Sequence, residues 1–146
     1  MKAKAKEYRY DEAAEVGGFK IELLRGSITK LDRMFFGKDT LTPKDHLRID
    51  IRFTSIADNS FYEGWSDPFP ELSDEKGKKY TYAYVRKEFT EQQRKLAKRK
   101  SLEDAVAFEL PGDNAKEVRL EMNCSMVGKE NENIAFKIPR AFFKSK

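Results

Sequence analysis

The sequence predicts an all-β protein: an antiparallel β-sandwich of about seven strands, with one short surface helix or basic loop near residues 90–99. Three observations lead to this prediction. Apolar and polar residues alternate with a period of two in most segments. Clusters of Gly, Asp and Asn separate those segments, as turns require. No segment shows the strand–helix–strand rhythm that is typical of a parallel sheet.

Composition predicts a single folded domain. The chain has 146 residues, a net charge of +4, and eleven Phe, six Tyr and one Trp. These aromatics can supply the burial that offsets the entropy cost of folding. We expect residues 1–15 to form a flexible lead-in and residues 16–146 to form the sandwich. No apolar run is long enough to cross a bilayer or to act as a signal peptide.

The alternation places the strands. The clearest strand is His46–Ile56, in which Leu47, Ile49, Ile51 and Phe53 share one face. The same pattern predicts six more strands: Phe19–Ile28 with a bulge or bend at Leu24–Gly26, Phe69–Ser73, Lys79–Val85, Leu102–Leu110, Val118–Cys124 and Ile134–Ile138. Asp104 is an exception on the apolar face of its strand.

Turn residues predict how the strands connect. "SDEKGKK" is expected to be a hairpin turn around Gly77 and not a calcium loop, because its lysines would repel a cation. "ADNS" is expected to be a corner where the chain leaves a sheet, with Asn59 in the left-handed region. Residues 31–45 are expected to form a connecting loop.

One segment lacks strand character. Thr90 could cap a helix over Glu91–Lys98, on which basic side chains four residues apart would share a face. This segment is the candidate for polyanion or nucleic-acid binding, although Glu88 and Glu91 dilute its charge and nucleic acid is not the expected partner. The candidate polyanion-binding residues are Arg86, Lys87, Arg94, Lys95, Lys98, Arg99 and Lys100.

No catalytic, cofactor-binding or metal-binding residue is predicted, and the protein is not expected to be an enzyme. His46, the single histidine, is the only candidate for a general base near neutral pH, which leaves a hydrolase as an alternative. Cys124, the single cysteine, lies in an alternating run and is expected to be a buried apolar side chain.

A group of aromatic residues could serve the core or form a carbohydrate-stacking surface. We expect core packing. The group consists of Tyr62, Trp65, Phe69, Tyr80, Tyr82 and Tyr84.

The order of these motifs resembles the bacterial immunoglobulin-like β-sandwich domains of unknown function that occur in lipoproteins and in membrane-anchored or secreted proteins. The matching positions are Asn59-Ser60 at a strand end, Leu72, Asp74, Gly77 and Tyr80 in a hairpin, and Phe108 with Pro111. The likeness covers about residues 16–143; the basic "RKLAKRKS" replaces a turn that the family often has.

The resemblance implies a non-enzymatic accessory or protein-interaction domain, extracytoplasmic (periplasmic or on the cell surface), although a cytoplasmic location stays open. We expect a protein partner, or self-association, through an edge strand. Contact with a membrane would come only from an anchor outside this sequence.

Overall fold

Two β-sheets pack face to face to form the body of the protein, so the predicted β-sandwich is confirmed. The computed structural model describes residues 4–30, 32–35, 38–41, 44–83 and 88–145, of which 32–35 and 38–41 are described by their backbone alone. In these residues the strands are β1 (Lys6–Arg9), β2 (Ala14–Val16), β3 (Phe19–Thr29), β4 (Asp32–Phe35), β5 (Lys38–Leu41), β6 (His46–Ser55), β7 (Asn59–Phe61), β8 (Glu71–Asp74), β9 (Lys79–Tyr80), β10 (Tyr82–Ala83), β11 (Lys95–Ala97), β12 (Ser101–Glu109), β13 (Glu117–Cys124), β14 (Lys129–Pro139) and β15 (Phe143–Ser145).

The strand order defines the two layers. The five-stranded sheet has the order β1-β14-β13-β8-β9, and the six-stranded sheet has the order β10-β12-β6-β3-β15, with β2 also paired to β3. Most neighbours are antiparallel, but β1 runs parallel to β14 and β15 runs parallel to β3. The helix α1 (Glu91–Arg94) and two 3₁₀ turns (Ser125–Val127 and Arg140–Phe142) complete the described elements.

The apolar faces predicted by the alternation meet between the sheets. Each large apolar side chain that becomes fully buried stabilises the fold by about 1.5–3 kcal/mol relative to exposure. Among the residues whose side chains the structure describes, the largest that are fully buried are Tyr62, Phe19, Phe53, Phe108, Phe136, Ile21, Leu47, Ile49, Ile51, Leu72, Leu120 and Met122.

Strand β3 has the bulge that its sequence predicts. Its pairing with β6 shifts register between Leu23 and Arg25, so Leu24 is the extra residue. The turn that leads into β3 is Gly17-Gly18, with φ of 61° and 81°. Two positive φ angles in a two-residue connection suit the twist of a hairpin, and glycine adopts them without steric cost.

Part of the expected lead-in belongs to the sandwich. Strand β1 pairs with β14, and the Glu7 carboxylate contacts Arg119 Nε at 3.1 Å and Lys137 Nζ at 3.5 Å. The hydrogen bond from Arg119 and the charge of Lys137 lower the pKa of Glu7. Alternation did not predict β1 because a four-residue strand with three exposed charged residues carries no apolar pattern.

Two further expectations are corrected. The segment predicted as one strand, Lys79–Val85, divides at Thr81: β9 pairs with β8, whereas β10 pairs with β12 in the other sheet, and residues 84 and 85 lie outside the described residues. The segment predicted as a loop, 31–45, contains the hairpin β4–β5. Local alternation cannot tell which sheet accepts a strand.

The corner predicted at "ADNS" is present in a different form. Strand β6 ends at Ser55, and Asn59 begins β7, which pairs with β11 in a separate two-stranded sheet. Asn59 does not take the left-handed conformation; among the described residues, Arg99 is the one non-glycine residue with positive φ. Ser60 holds the corner, since its hydroxyl donates to the Gly18 carbonyl at 3.2 Å and accepts from Ser55.

The hairpin turn predicted around Gly77 is confirmed. Its Asp74 side chain accepts hydrogen bonds from backbone N–H groups of the turn. Asp74 Oδ1 accepts the N–H groups of Lys76 and Lys78 at 2.9 and 3.0 Å, and Oδ2 accepts the Tyr80 hydroxyl at 2.9 Å. Desolvation acts to raise the pKa of Asp74, but these hydrogen bonds outweigh it and hold the pKa below the ordinary 3.8. The turn therefore uses the carboxylate as an internal anchor.

We expect Asp74→Asn to lower the urea midpoint of unfolding at neutral pH. Because the folded-state pKa is lowered, the carboxylate stabilises the fold above the ordinary value of 3.8 and loses that effect as the pH falls through its folded-state value. The difference from the wild type should therefore shrink in acid. Asp113→Asn is the control, because it makes the same substitution at a fully exposed side chain. The contact of Asp113 is an ion pair with Arg140 at 3.6 Å. A difference that stays constant down to strongly acidic pH would contradict the assignment.

Candidate binding site

The basic segment does not form the predicted helical face. Helix α1 is a single turn, capped by Thr90: its hydroxyl accepts the Gln93 N–H at 3.1 Å, and Gln93 Oε1 accepts the Thr90 N–H at 2.8 Å. From Lys95 the chain becomes β11 and pairs with β7. The predicted helix over Glu91–Lys98 is therefore wrong beyond residue 94, because strand pairing overrides the local preference.

The Arg94 guanidinium hydrogen-bonds to backbone carbonyls of the same chain, so it is not a free cation. Its Nη1 donates to the Glu63 carbonyl at 2.7 Å, its Nε lies 3.4 Å from the Phe89 carbonyl, and its own carbonyl accepts the Tyr62 N–H at 2.9 Å. Lys95 Nζ lies 3.9 Å from Glu91. Arg86 and Lys87 lie outside the described residues.

The other three candidates, Lys98, Arg99 and Lys100, share one exposed turn. The Arg99 N–H donates to the Ser55 carbonyl at 2.8 Å, and the Lys98 N–H donates to the Asp58 carbonyl at 3.1 Å. These bonds hold Arg99 at φ 73°, a conformation that costs an L-residue about 1–2 kcal/mol. The structure thus brings together three of the five candidate basic residues that it describes.

The groups considered for catalysis have other contacts. His46 begins β6 with its Nδ1 3.0 Å from the Lys44 carbonyl oxygen. Cys124 is fully buried, and burial raises the pKa of its thiol to about 12, so it stays protonated at neutral pH. In the part of the chain that the structure describes, no three His, Cys, Asp or Glu side chains are placed to hold a metal ion.

A buried polar pair lies inside the core. The Tyr62 hydroxyl donates to Asp104 Oδ2 at 2.6 Å, and Asp104 Oδ1 accepts the Ala105 N–H at 2.7 Å. Burial, and then the neighbouring Asp104 charge, raises the pKa of Tyr62 far above 10. The tyrosine therefore keeps its proton and acts as a fixed hydrogen-bond donor. This pairing explains the charged residue on the apolar face of β12.

An open cleft lies on the outer face of the five-stranded sheet. We call it the polar cleft; its volume is about 640 Å³, which is in the range of small-ligand sites. Outward-facing residues of β8, β13 and the start of β14 meet the loop 66–69 there. Its lining residues are Ser66, Asp67, Pro68, Phe69, Glu71, Glu121, Asn123, Ser125, Glu130, Asn131 and Asn133.

Hydrogen bonds order the polar cleft. Asn123 Nδ2 donates to the Glu130 carbonyl at 2.8 Å and to Asn133 Oδ1 at 3.0 Å, and Asn123 Oδ1 accepts the Ser125 N–H at 3.1 Å. Asn123 sits at the bulge where the register of β13 and β14 shifts. The bulge therefore helps to set the orientation of the Asn123 and Asn133 side-chain amides in the cleft.

Sequence reasoning missed this cleft. Asn123, Asn131 and Asn133 are visible as polar residues around a turn, but the loop 66–69 joins them from more than fifty positions earlier in the chain. The local signals were the density of asparagine near Gly128 and the aromatic group that includes Phe69, which was expected to pack in the core but is exposed at the cleft. None of the described helices has the length and apolarity needed to span a bilayer.

No protein-family profile matches this sequence, and no curated protein sequence matches it. The solved structures that are similar in fold include the following three. The yjhA protein of Bacillus subtilis has a TM-score of 0.59 at 11% identity, over 89% of this chain and 98% of its own. The secreted protein MPT63 of Mycobacterium tuberculosis has a TM-score of 0.53 at 9% identity, over 94% of this chain and 98% of its own.

The third is ycdA of Bacillus subtilis, a candidate lipoprotein, with a TM-score of 0.55 at 14% identity; the match covers 90% of this chain and 40% of that one. At these identities the likeness concerns the β-sandwich fold alone.

We expect Tyr62→Phe to lower the free energy of unfolding by about 1–3 kcal/mol, because the buried Asp104 carboxylate loses a donor. Urea unfolding followed through Trp65, whose ring lies 6.5 Å from that of Tyr62, measures the loss. Tyr80→Phe is the matched control: it removes a hydroxyl bonded to Asp74 in a surface turn and should cost less. Equal losses in the two variants would contradict the burial argument.

Proposed function

We propose that the protein is an immunoglobulin-like, non-enzymatic accessory or interaction domain of an extracytoplasmic bacterial protein. The main support for the immunoglobulin-like class is the order of the strands in the two sheets. One sheet reads β3-β6-β12-β10, and the other reads β9-β8-β13-β14. Assigned in chain order, these strands match the A-B-E-D and C′-C-F-G arrangement of immunoglobulin sandwiches.

The extracytoplasmic assignment draws on two of the similar proteins, one described as secreted and one as a candidate lipoprotein. The non-enzymatic assignment draws on the contacts of the reactive groups: Tyr62 and Asp104 bind each other in the core, Cys124 is buried, and Asp74 holds a turn. Groups with such contacts hold the structure together and are poorly placed to act on a substrate.

Partner contact through an edge strand remains part of this proposal. Within the described residues, strand β1 has four residues, and the edge strands β9, β10 and β15 have two, two and three. Its exposed Lys6, Glu7 and Arg9 would favour a charged partner strand over indiscriminate pairing.

Chromosomal tagging followed by cell fractionation tests the location. We expect the tagged protein in the envelope or the medium, and cleavable by protease added to intact cells or to cells with a permeabilised outer layer. A cytosolic protein carrying the same tag is the control and should stay protected. Recovery of the protein together with that control would overturn the extracytoplasmic assignment.

Polyanion binding is the second candidate, and one observation favours it. Lys98, Arg99 and Lys100 project from a strained turn, and no ion pair engages them among the described residues. Conformational strain of this kind concentrates at functional sites. Three cations would support weak binding to a phosphate backbone.

This candidate predicts that a fluorescent oligothymidylate binds with a salt slope of about −2, since each phosphate contact on a single strand contributes about −0.7. The Lys98→Glu, Lys100→Glu double variant should abolish binding measured by fluorescence polarisation. The Lys116→Glu, Lys144→Glu variant makes the same charge change at other exposed positions and is the control. Salt-insensitive binding, or equal loss in both variants, would discard the candidate.

A further inference from the structure

We infer that the polar cleft binds an uncharged saccharide chain. The inference goes beyond the proposed function and does not depend on where the protein resides. It stands on three features of the cleft: ordered amides and hydroxyls, an exposed aromatic ring at its edge, and a lining charge of one sign.

The amides and hydroxyls suit a ligand made of hydroxyl groups. A sugar hydroxyl both donates and accepts, and each asparagine amide offers both functions in one plane. Asn123 is a positioning residue, because its contacts to Glu130 and Asn133 hold the neighbouring groups in place before a ligand arrives. Asn131 is exposed at the cleft and makes no hydrogen bond seen among the described residues. Such pre-orientation reduces the entropy cost of binding.

Phe69 supplies an apolar surface. It is 45% exposed, which is unusual for a large apolar residue of this protein, and it lines the cleft. Tyr82 stacks on its ring at a centroid distance of 5.1 Å and an angle of 20°, so the ring orientation is fixed from behind. The C–H face of a sugar ring could cover the remaining exposed phenyl surface and remove it from water.

The charge of the lining excludes anionic ligands. Asp67, Glu71, Glu121 and Glu130 line the cleft, and none of its lining residues that the structure describes is a lysine or arginine. Two of these carboxylates pair with cations: Lys79 lies 3.8 Å from Glu71, and Arg119 lies 2.5 Å from Glu121. A phosphate or uronate would meet like charge. The cleft and the basic turn Lys98–Lys100 therefore address opposite ligand classes.

The test is an NMR titration of the ¹⁵N-labelled chain with three neutral tetrasaccharides: cellotetraose, maltotetraose and tetra-N-acetylchitotetraose. We expect at least one of them to shift the amide signals of Phe69, Asn131 and Asn133 in a saturable manner. Tetragalacturonate, an anionic chain of the same length, should leave these signals unchanged.

Phe69→Ala should weaken the affinity for that saccharide about tenfold, which corresponds to about 1.4 kcal/mol. Phe61→Ala is the matched control, since Phe61 is 37% exposed on β7 and is not part of the cleft lining. Asn131→Ala is a second, surface variant in case Phe69→Ala does not fold, and it should also weaken binding.

Three results would overturn the inference. The first is no shift at the cleft with any neutral tetrasaccharide up to about 10 mM, a concentration that detects even millimolar affinity. The second is binding that Phe69→Ala and Asn131→Ala leave unchanged. The third is tighter binding of tetragalacturonate or of tetralysine than of every neutral saccharide, which would make the cleft a site for ions.

Discussion

The hydrogen bond between Tyr62 and Asp104 joins two segments that no regular pairing connects. It ties the stretch after the corner at residues 57–60 to β12, deep in the aromatic cluster of Phe53, Tyr62 and Trp65. A buried carboxylate needs such a partner, because its desolvation is otherwise costly. Trp65, held by its indole N–H bond to the Ala105 carbonyl at 3.1 Å, then leads directly into the loop 66–69 that borders the polar cleft. The same short segment of the chain, from Tyr62 to the loop 66–69, therefore contributes to both the buried polar pair and the polar cleft.

Many polar side chains of this protein hydrogen-bond to its own backbone and so stabilise the fold, whereas others remain accessible to solvent. Asp74 and Glu75 accept backbone N–H groups, with Glu75 reaching those of Lys116 and Glu117 at 3.1 and 2.9 Å. Arg94 binds carbonyls. Among the described residues, Lys98, Arg99 and Lys100 form no ion pair, whereas at the polar cleft Glu71 and Glu121 pair with Lys79 and Arg119. A charged sequence is thus a poor guide to binding until each charge has been assigned its contacts.

Much of the sandwich could be predicted from periodicity, and the exceptions share one cause. The strands β3, β6, β12, β13 and β14 were expected, because each has at least eight residues and so enough to alternate against the core. Strand β8 has four residues, and the turn signal at Gly77 helped to predict it. Strands β1, β7, β11 and β15 have three or four residues each and exist through their partners. For the same reason the predicted helix stopped at Arg94: pairing of Lys95–Ala97 with β7 offered hydrogen bonds that a weakly apolar helix could not match.

By itself the sequence determined the all-β class, the inward faces of the long strands, the bulge near Leu24 and the turn at Gly77, since each depends on residues adjacent in the chain. It also marked Asp104 as an exception. Only the tertiary structure decided which group hydrogen-bonds to that carboxylate, which basic side chains form no ion pair among the described residues, and where the polar cleft lies. Those outcomes depend on contacts between residues that are not neighbours in the chain, such as Tyr62 with Asp104, 42 positions apart, and Phe69 with Tyr82 at the polar cleft. A period-two pattern says which way a side chain points, but not which distant side chain it will meet.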